Sequence, residues 1–415
     1  MTGNYKMIKF ACYSAYFTMS TVFCLPALLF VTFNETYGIS WTLLGTLVLI
    51  NFCTQMTVDL IFTVFSKHFN LKKIIKIMPL ITSLGLFVYA LVPTFFPEYA
   101  FLGLAAGTVI FSVAAGLSEV FLSPTIASIP SDNPQREMSL LHSLYAFGVL
   151  TIIVVSTLAI RIFGSHNWMY ITMVLALLPI ITSCLFMCST FPEMKGEENE
   201  KKDVTVSRKR SVGLFLCVLC IFFGSCAENA MTNWISSYVE SALNIDKTMG
   251  DILGMAMFAV LLGLARILYA KYGKNIIKTL ILGMGAAAIC YITAGLSSNV
   301  AVAFCACIAT GFATSMLWPG ALIMMEENVP GVGVAAYALM AAGGDMGASI
   351  APQLLGAVVD NVAASSYGKA LALSMNITPE QIGMKAGMLV TSVFPIIGLI
   401  VLFVIRKHFR KIKNQ

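Results

Sequence analysis

Twelve times along the chain, a run of about 20 or more mostly apolar residues is followed by a short polar break, and that length is what an α-helix needs to cross the hydrocarbon core of a bilayer. The runs cover residues 8–32, 41–66, 74–93, 99–127, 138–161, 167–189, 212–240, 248–270, 275–295, 299–324, 333–359 and 383–405. Inside a bilayer the backbone has no water to bond to, so each run is predicted to be helical. Of the 415 residues 58% are hydrophobic and only 11% charged, less than half the charged share of about 25% found in soluble domains. A soluble fold is excluded. The expected class is an all-α membrane protein with twelve transmembrane helices. Its first run is too long for a cleavable leader and serves as the first span.

Charge sets the orientation. With the N-terminus in the cytoplasm, 22 basic residues fall on the inner side, and Arg161, Lys247, Lys369 and Lys385 fall on the outer. That division agrees with the positive-inside rule, so both termini are expected to be cytoplasmic, in a bacterial inner (plasma) membrane. Trp41 and Trp168 open spans at the outer surface, where anchoring in the headgroup layer is the expected role. The long polar insert, TFPEMKGEENEKKDVTVSRKRS at 190–211, mixes acids with bases and cannot bury a core. It is predicted to be a cytoplasmic linker between a six-helix bundle over 1–189 and a second over 212–415.

A weak internal repeat favours the same division. GLSEVFLSP runs from Gly116 to Pro124 and GFATSMLWP from Gly311 to Pro319. The same offset of 195 brings Ala146 and Gly148 onto Ala341 and Gly343.

Charges at the centre of a membrane helix cost about 2.5 to 3.5 kcal/mol on insertion scales and normally face a cavity or a partner. The deep ionisable residues are Asp59, Glu119, His142, Glu228 and Asp345, with Arg266 toward the cytoplasmic end of its span. Asn51, Gln55 and Asp59 recur every four residues and share one helical face. Ser112, Glu119 and Ser123 share another, and Ser225, Glu228, Asn229, Thr232, Asn233 and Ser236 form a broad polar face on the seventh span. Thr310, Thr314 and Trp318 line the tenth. Inward-pointing stripes of this kind would make a water-accessible cavity between the halves. The structural alternatives are helix-to-helix hydrogen bonds for the glutamates, ion pairing or gating for Asp59 and Arg266, and polar packing for His142. Asp345, within AAGGDMGAS, is open to either a gate or the site. Pro26, Pro124, Pro319 and Pro352 interrupt spans and permit bends. The eleven cysteines lie in predicted helices without the histidines that a zinc site would need, so no metal or cofactor is expected.

The fourth span, with Gly116, Leu117, Glu119 and Pro124, resembles the fucose/galactose/glucose proton symporter family of the major facilitator superfamily, in which a glutamate stands five residues before a proline. The fifth span is similar too: His142 stands six residues before the glycine of the Phe147–Gly148 pair. The resemblance implies two bundles of six helices, a proton-coupling and sugar-recognising role for Glu119, and a substrate-contacting role for His142. Two departures stand out. Span one holds no acid where the family's fucose transporters have an aspartate, and Glu228 is the candidate replacement. Lys67, in VFSKHFNLKK at 64–73, occupies the place of the superfamily's loop aspartate, and Asp59 is the candidate to compensate for it.

The expected function is a secondary symporter, driven by H+, for a sugar or a similarly polar small molecule. Glu119 and Glu228 would couple protons. Gln55, Asn51, His142, Asn229, Asn233 and Trp318 would bind substrate, and Asp59, Arg266 and Asp345 would gate or form ion pairs. Carboxyl groups removed from water take up protons more readily, and amides supply both donors and acceptors for hydroxyl groups. The rival on the same fold is a proton antiporter exporting drugs or metabolites, and sodium coupling is a further alternative. A membrane-embedded enzyme would need a nucleophile with its base, and the scattered His68, His142, His166 and His408 supply no such arrangement. The expected partners are the small-molecule substrate and the lipid bilayer, with no nucleic acid.

Overall fold

The computed structural model describes residues 5–65, 70–130, 134–192, 208–329 and 334–413. They are helical almost throughout. The first six helices are α1 (Lys6–Leu28), α2 (Phe30–Tyr37), α3 (Trp41–Phe65), α4 (Leu71–Phe95), α5 (Ala100–Ala127) and α6 (Pro134–Phe163). Next come α7 (Trp168–Leu175), α8 (Leu177–Met187), α9 (Arg208–Ser237), α10 (Lys247–Met249), α11 (Met257–Tyr272) and α12 (Ile276–Leu296). The last six are α13 (Val300–Thr314), α14 (Leu317–Asn328), α15 (Val334–Ala364), α16 (Ser366–Met375), α17 (Pro379–Thr391) and α18 (Val393–Lys413). Among the described residues, ten helical stretches are long and apolar enough to cross a membrane. The expected fifth and eleventh spans fall on α6 and α15. Only the shorter stretch Phe147–Phe163 of α6 is apolar enough, and α15 is 31 residues long but diluted by Gly343, Gly344, Asp345 and Gln353. Large apolar side chains such as Leu102, Phe163, Ile267 and Leu282 point outward, which is the solvent a bilayer provides.

Prolines place several of the breaks. A proline has no N–H to return to the carbonyl four residues earlier, so the ladder loses a rung there. Pro179 leaves Leu175 without that donor, and α7 stops at Leu175; Pro395 does the same to Thr391, the last residue of α17. Pro319 withdraws the donor from Ser315, and α13 gives way to α14 across Ser315 and Met316. Pro352, expected to interrupt its span, lies inside a continuous helix, whereas α1 ends two residues after Pro26, at Leu28, and α2 begins at Phe30. Helix α5 also runs unbroken through position 124. The breaks at Pro179 and Pro395 were not among the expected bends.

The chain packs as two compact units, residues 1–32 with 54–203 and residues 33–53 with 204–415. In the first unit, α1, α4, α5 and α8 bury a core that includes Ile8, Cys12, Met78, Leu117, Leu122 and Phe186. Hydroxyl groups tie these helices together: Ser14 and Thr182 share a hydrogen bond of 2.7 Å, and the Ser183 hydroxyl donates to the Lys76 carbonyl at 2.6 Å. Ser83 donates to the carbonyl of Ala176, at the break between α7 and α8, at 2.7 Å. Such bonds take the place of water where none is present. Trp168 was expected at the headgroup layer but is buried, its ring edge-on to Tyr89 with centroids 6.4 Å apart. Burying a large ring against another aromatic outweighs anchoring here.

In the second unit, tyrosine and tryptophan side chains bond to backbone carbonyls of neighbouring helices. Tyr291 donates to Ala227 at 2.8 Å, and Trp234 donates to Pro352 at 3.1 Å. Trp41 is buried as well, its ring 5.7 Å from that of Trp234. The expected anchor is therefore part of this unit's core. Beside it, the second helical residue of α3, Thr42, gives both its backbone N–H and its hydroxyl to the Asp360 carboxylate, at 2.7 and 2.5 Å. A helix start leaves four N–H groups without intrahelical partners and carries a partial positive charge. A carboxylate from α15 satisfies both demands. Between α9 and α11 the backbone loosens into wider turns at Tyr238–Ala242 and Gly250–Ala256. There Ser236 donates to the buried Asp251, and Lys247 pairs with Glu240 at 3.2 Å.

The repeat found in the sequence reappears as packing. A Cβ at Gly116 of α5 would press on Gln55 and Val58 of α3, and one at Gly311 of α13 would overlap the Phe258 carbonyl of α11. A Cβ at Gly148 of α6 would strike Phe17 and Ser20 of α1, and one at Gly343 of α15 would strike Val218 of α9 and rest against Ile221. In each unit, then, the first glycine seats the fourth span of its half against the second, and the other seats the fifth against the first. Small residues at such crossings let helix backbones approach closely.

Candidate functional site

In the first unit, α3 and α5 bring acidic side chains together. Gln55 is fully buried and Asp59 nearly so, and the close crossing at Gly116 sets α5 directly against that stretch of α3. Three residues past Gly116, almost one helical turn, Glu119 places its carboxylate within 4.8 Å of that of Asp59. Two carboxylates at this spacing repel if both are ionised, so the arrangement favours one proton held between them. Asp59, expected to gate or pair, stands beside the expected proton carrier. Ser112 shares the stripe in sequence, but its hydroxyl is turned back to the Thr108 carbonyl of its own helix at 2.6 Å. This back-bonding is common for helical serines, and it spends the donor.

The fifth-span motif divides. Gly148 is a packing glycine against α1, and Phe147 is 60% exposed on the apolar exterior. The side chains of His142, Ser123 and Pro124 lie outside the described residues, as do residues 66–69, which include Lys67, and residues 193–207 of the linker.

In the second unit, the polar face of α9 is ordered by bonds to its own backbone. Asn229 donates its amide N–H to Ser225, and Asn233 donates to the Asn229 carbonyl at 2.8 Å. Thr232 donates to the Glu228 carbonyl. Asn229 directs its amide nitrogen to both the carbonyl and the hydroxyl of Ser225, whereas Asn233 keeps a second N–H beside its amide oxygen, so the face offers a ligand both acceptors and a donor. Glu228 meets Arg266 of α11 at 3.4 Å, with side chains 16% and 36% exposed. The pair lies between two spanning helices, so whether it holds depends on the charge that Glu228 carries. Trp318 is half-buried, and a Cβ at Gly344 would overlap its six-membered ring. The ring edge therefore rests on α15 next to the buried Asp345. Asn51 is buried on the part of α3 that belongs to this unit.

The geometry thus pairs Asp59 with Glu119 and Glu228 with Arg266, and sets Asn229 and Asn233 along one face with Glu228. Sequence reasoning missed the Ser315 carbonyl, which accepts from Arg266 Nε at 2.9 Å. It also missed Asp360 at the start of α3. The first had a signal, since Pro319 lies four residues after Ser315. The second had none, because nothing local marks a carboxylate as the cap of a helix more than 300 residues away in the chain.

A multi-pass helical protein with ionisable groups paired inside its spans belongs to the class of membrane transporters. A profile of the Major Facilitator Superfamily matches residues 10–352, and the chain belongs to that superfamily. No curated protein matches it in sequence. Solved structures share its fold. A D-xylose–proton symporter is 13% identical with a TM-score of 0.74, covering 94% of this chain and 96% of its own. A bacterial homologue of the human lysosomal transporter Spinster, inward-facing and occupied, is 12% identical with a TM-score of 0.71, covering 99% of each chain. The nucleoside transporter NupG is 15% identical with a TM-score of 0.68, covering 98% of this chain and all of its own.

Proposed function

We propose that this transporter is a proton-coupled symporter that carries a sugar, or a similar polar small molecule, by alternating access. In this reading it has twelve spans in two bundles, 1–189 and 212–415, joined by the linker 190–211, with both termini in the cytoplasm of a bacterial inner membrane. It is nearest in mechanism to the fucose/galactose/glucose proton symporters. The observation that carries the proposal is the Asp59–Glu119 pair within a spanning bundle. One shared proton gives the pair two charge states, as a coupling site requires.

Glu228 is the second proton carrier, with Arg266 as its partner. The amide oxygens of Asn229 and Asn233, with Gln55, Asn51 and His142, bind substrate, and Trp318 offers its ring. Amide oxygens beside a remaining amide N–H suit hydroxyl groups, which both donate and accept. Asp345 gates. The fold shared with a D-xylose–proton symporter is in keeping with this reading, and that shared with a nucleoside transporter defines the nearest competing substrate class.

A thermal-shift screen of the purified protein against sugars, nucleosides and organic acids tests the substrate class. Ligands that bind only the folded state raise the melting point, by about 2.7 kcal/mol of stabilisation at a hundredfold excess over Kd. A hexose or pentose is expected to give that rise. Stabilisation by nucleosides or organic acids alone, with every sugar inert, would overturn it.

A further inference from the structure

Arg266 joins three helices through one guanidinium. Its Nε donates to the Ser315 carbonyl at 2.9 Å, and its Nη2 lies 3.4 Å from Glu228 Oε1. The carbonyl is available because Pro319 has no N–H to return to it, and it lies at the break between α13 and α14. Ser315 is buried. The second carboxylate oxygen of Glu228, Oε2, is buried with no hydrogen-bond partner, so Arg266 is the partner of that carboxylate. Nothing about an arginine on α11 requires it to reach a proline-freed carbonyl and a glutamate together. A planar fork of donors makes that possible, where a single ammonium point would not.

We propose that Arg266 is a positioning residue that ties the charge on Glu228 to the bend at Ser315–Met316. Ionised Glu228 holds the guanidinium, and the guanidinium in turn holds the freed carbonyl. When Glu228 takes up a proton, Nη2 loses its counter-charge, Arg266 turns away, and the bend relaxes toward a different angle. Arg266 is the charged side chain that meets the Glu228 carboxylate. Among the described residues, the other buried ionisable side chains on α9 and around it are Cys217, Cys220 and Cys226 of α9 itself, Asp345 on α15, Asp251 and Tyr238 in the turns between α9 and α11, Cys307 on α13, and Tyr291, which donates to the Ala227 carbonyl of α9. The proposal rests on reading Glu228 as a proton carrier, and it adds the mechanical link by which that proton would be felt in the tenth span.

The test is a distance measured by double electron–electron resonance between spin labels at Val302 and Glu327, toward opposite ends of the broken helix, in protein whose exposed cysteines are replaced. Glu228→Gln, which mimics the protonated side chain, and Arg266→Gln are expected to shift this distance in the same direction. The double variant should move it no further. Arg266→Lys keeps the charge but loses the fork and should show the same shift, which covers the case in which the glutamine variant folds poorly. Pro319→Ala restores an N–H to Ser315, so in that background Arg266→Gln should leave the distance unchanged. Effects of Glu228→Gln and Arg266→Gln that add, or an Arg266 effect that survives in the alanine background, would overturn the tie. Proton flux in Glu228→Gln is read separately. If the distance shifts but proton-coupled uptake is normal, the role of Glu228 as a carrier fails while the mechanical link stands.

Discussion

Glu119→Gln is expected to abolish accumulation while leaving exchange of substrate across the membrane. The amide keeps the shape of the side chain and can still hydrogen-bond, but it carries no proton in either direction. The size of the effect follows from the driving force. Moving one charge through 100 mV is worth about 2.3 kcal/mol, enough for about fiftyfold accumulation of a neutral substrate. In proteoliposomes under such a gradient the parent protein should approach that ratio, and the variant should stop near equality inside and out. Counterflow of labelled substrate should persist in the variant, because binding and the conformational cycle remain. Asp59→Asn should be milder, since Glu119 then keeps a titrating group without its repelling neighbour. If Glu119→Gln still accumulates substrate, the proton is carried elsewhere.

The largest loss of stability is expected from Gly347→Val. A Cβ there would overlap the Phe222 carbonyl oxygen and stand 3.2 Å from the Cys226 nitrogen. Both belong to the backbone of α9, which has no rotamer to yield. Overpacking usually costs 1 to 3 kcal/mol, and a backbone collision belongs at about the upper end of that range or beyond. Because the collision separates α9 from α15, it should also disturb Glu228, two residues from Cys226. Gly285 is the control. Nothing lies within 4 Å of a Cβ there, so Gly285→Ala should gain about 0.5 to 1 kcal/mol from the lower entropy of alanine in a helix. Thermal unfolding in detergent measures both. Equal melting points for the two variants would mean that the α9–α15 crossing is looser than its geometry.

The sequence carried much of this fold because bilayer helices are set by length and polarity, which are local. Ten of the twelve expected spans are long and apolar enough to cross a membrane, and the repeat at an offset of 195 acquired a physical meaning once its glycines proved to seat equivalent helix pairs. What stayed hidden was three-dimensional. The pairing of Asp59 with Glu119 needed the crossing at Gly116, and the Glu228–Arg266 pair needed the packing of α9 near α11. Trp41 and Trp168 looked like surface anchors from their places at the starts of spans, yet each found an aromatic partner in a core. Prolines misled in another way. Residue type says that a backbone bond is missing, but not whether the helix breaks there. Pro352 was absorbed in a continuous helix, whereas α1 ends two residues after Pro26, and Pro319 coincides with a break whose freed carbonyl Arg266 takes.

Proton movement that accompanies substrate entry tests the central claim most directly. Protein reconstituted in lightly buffered liposomes, given the sugar that stabilises it and no imposed gradient, should make the outer medium more alkaline as substrate enters, with the signal abolished by a protonophore. Substrate entry with no change in external pH, or acidification outside as substrate enters, would contradict it.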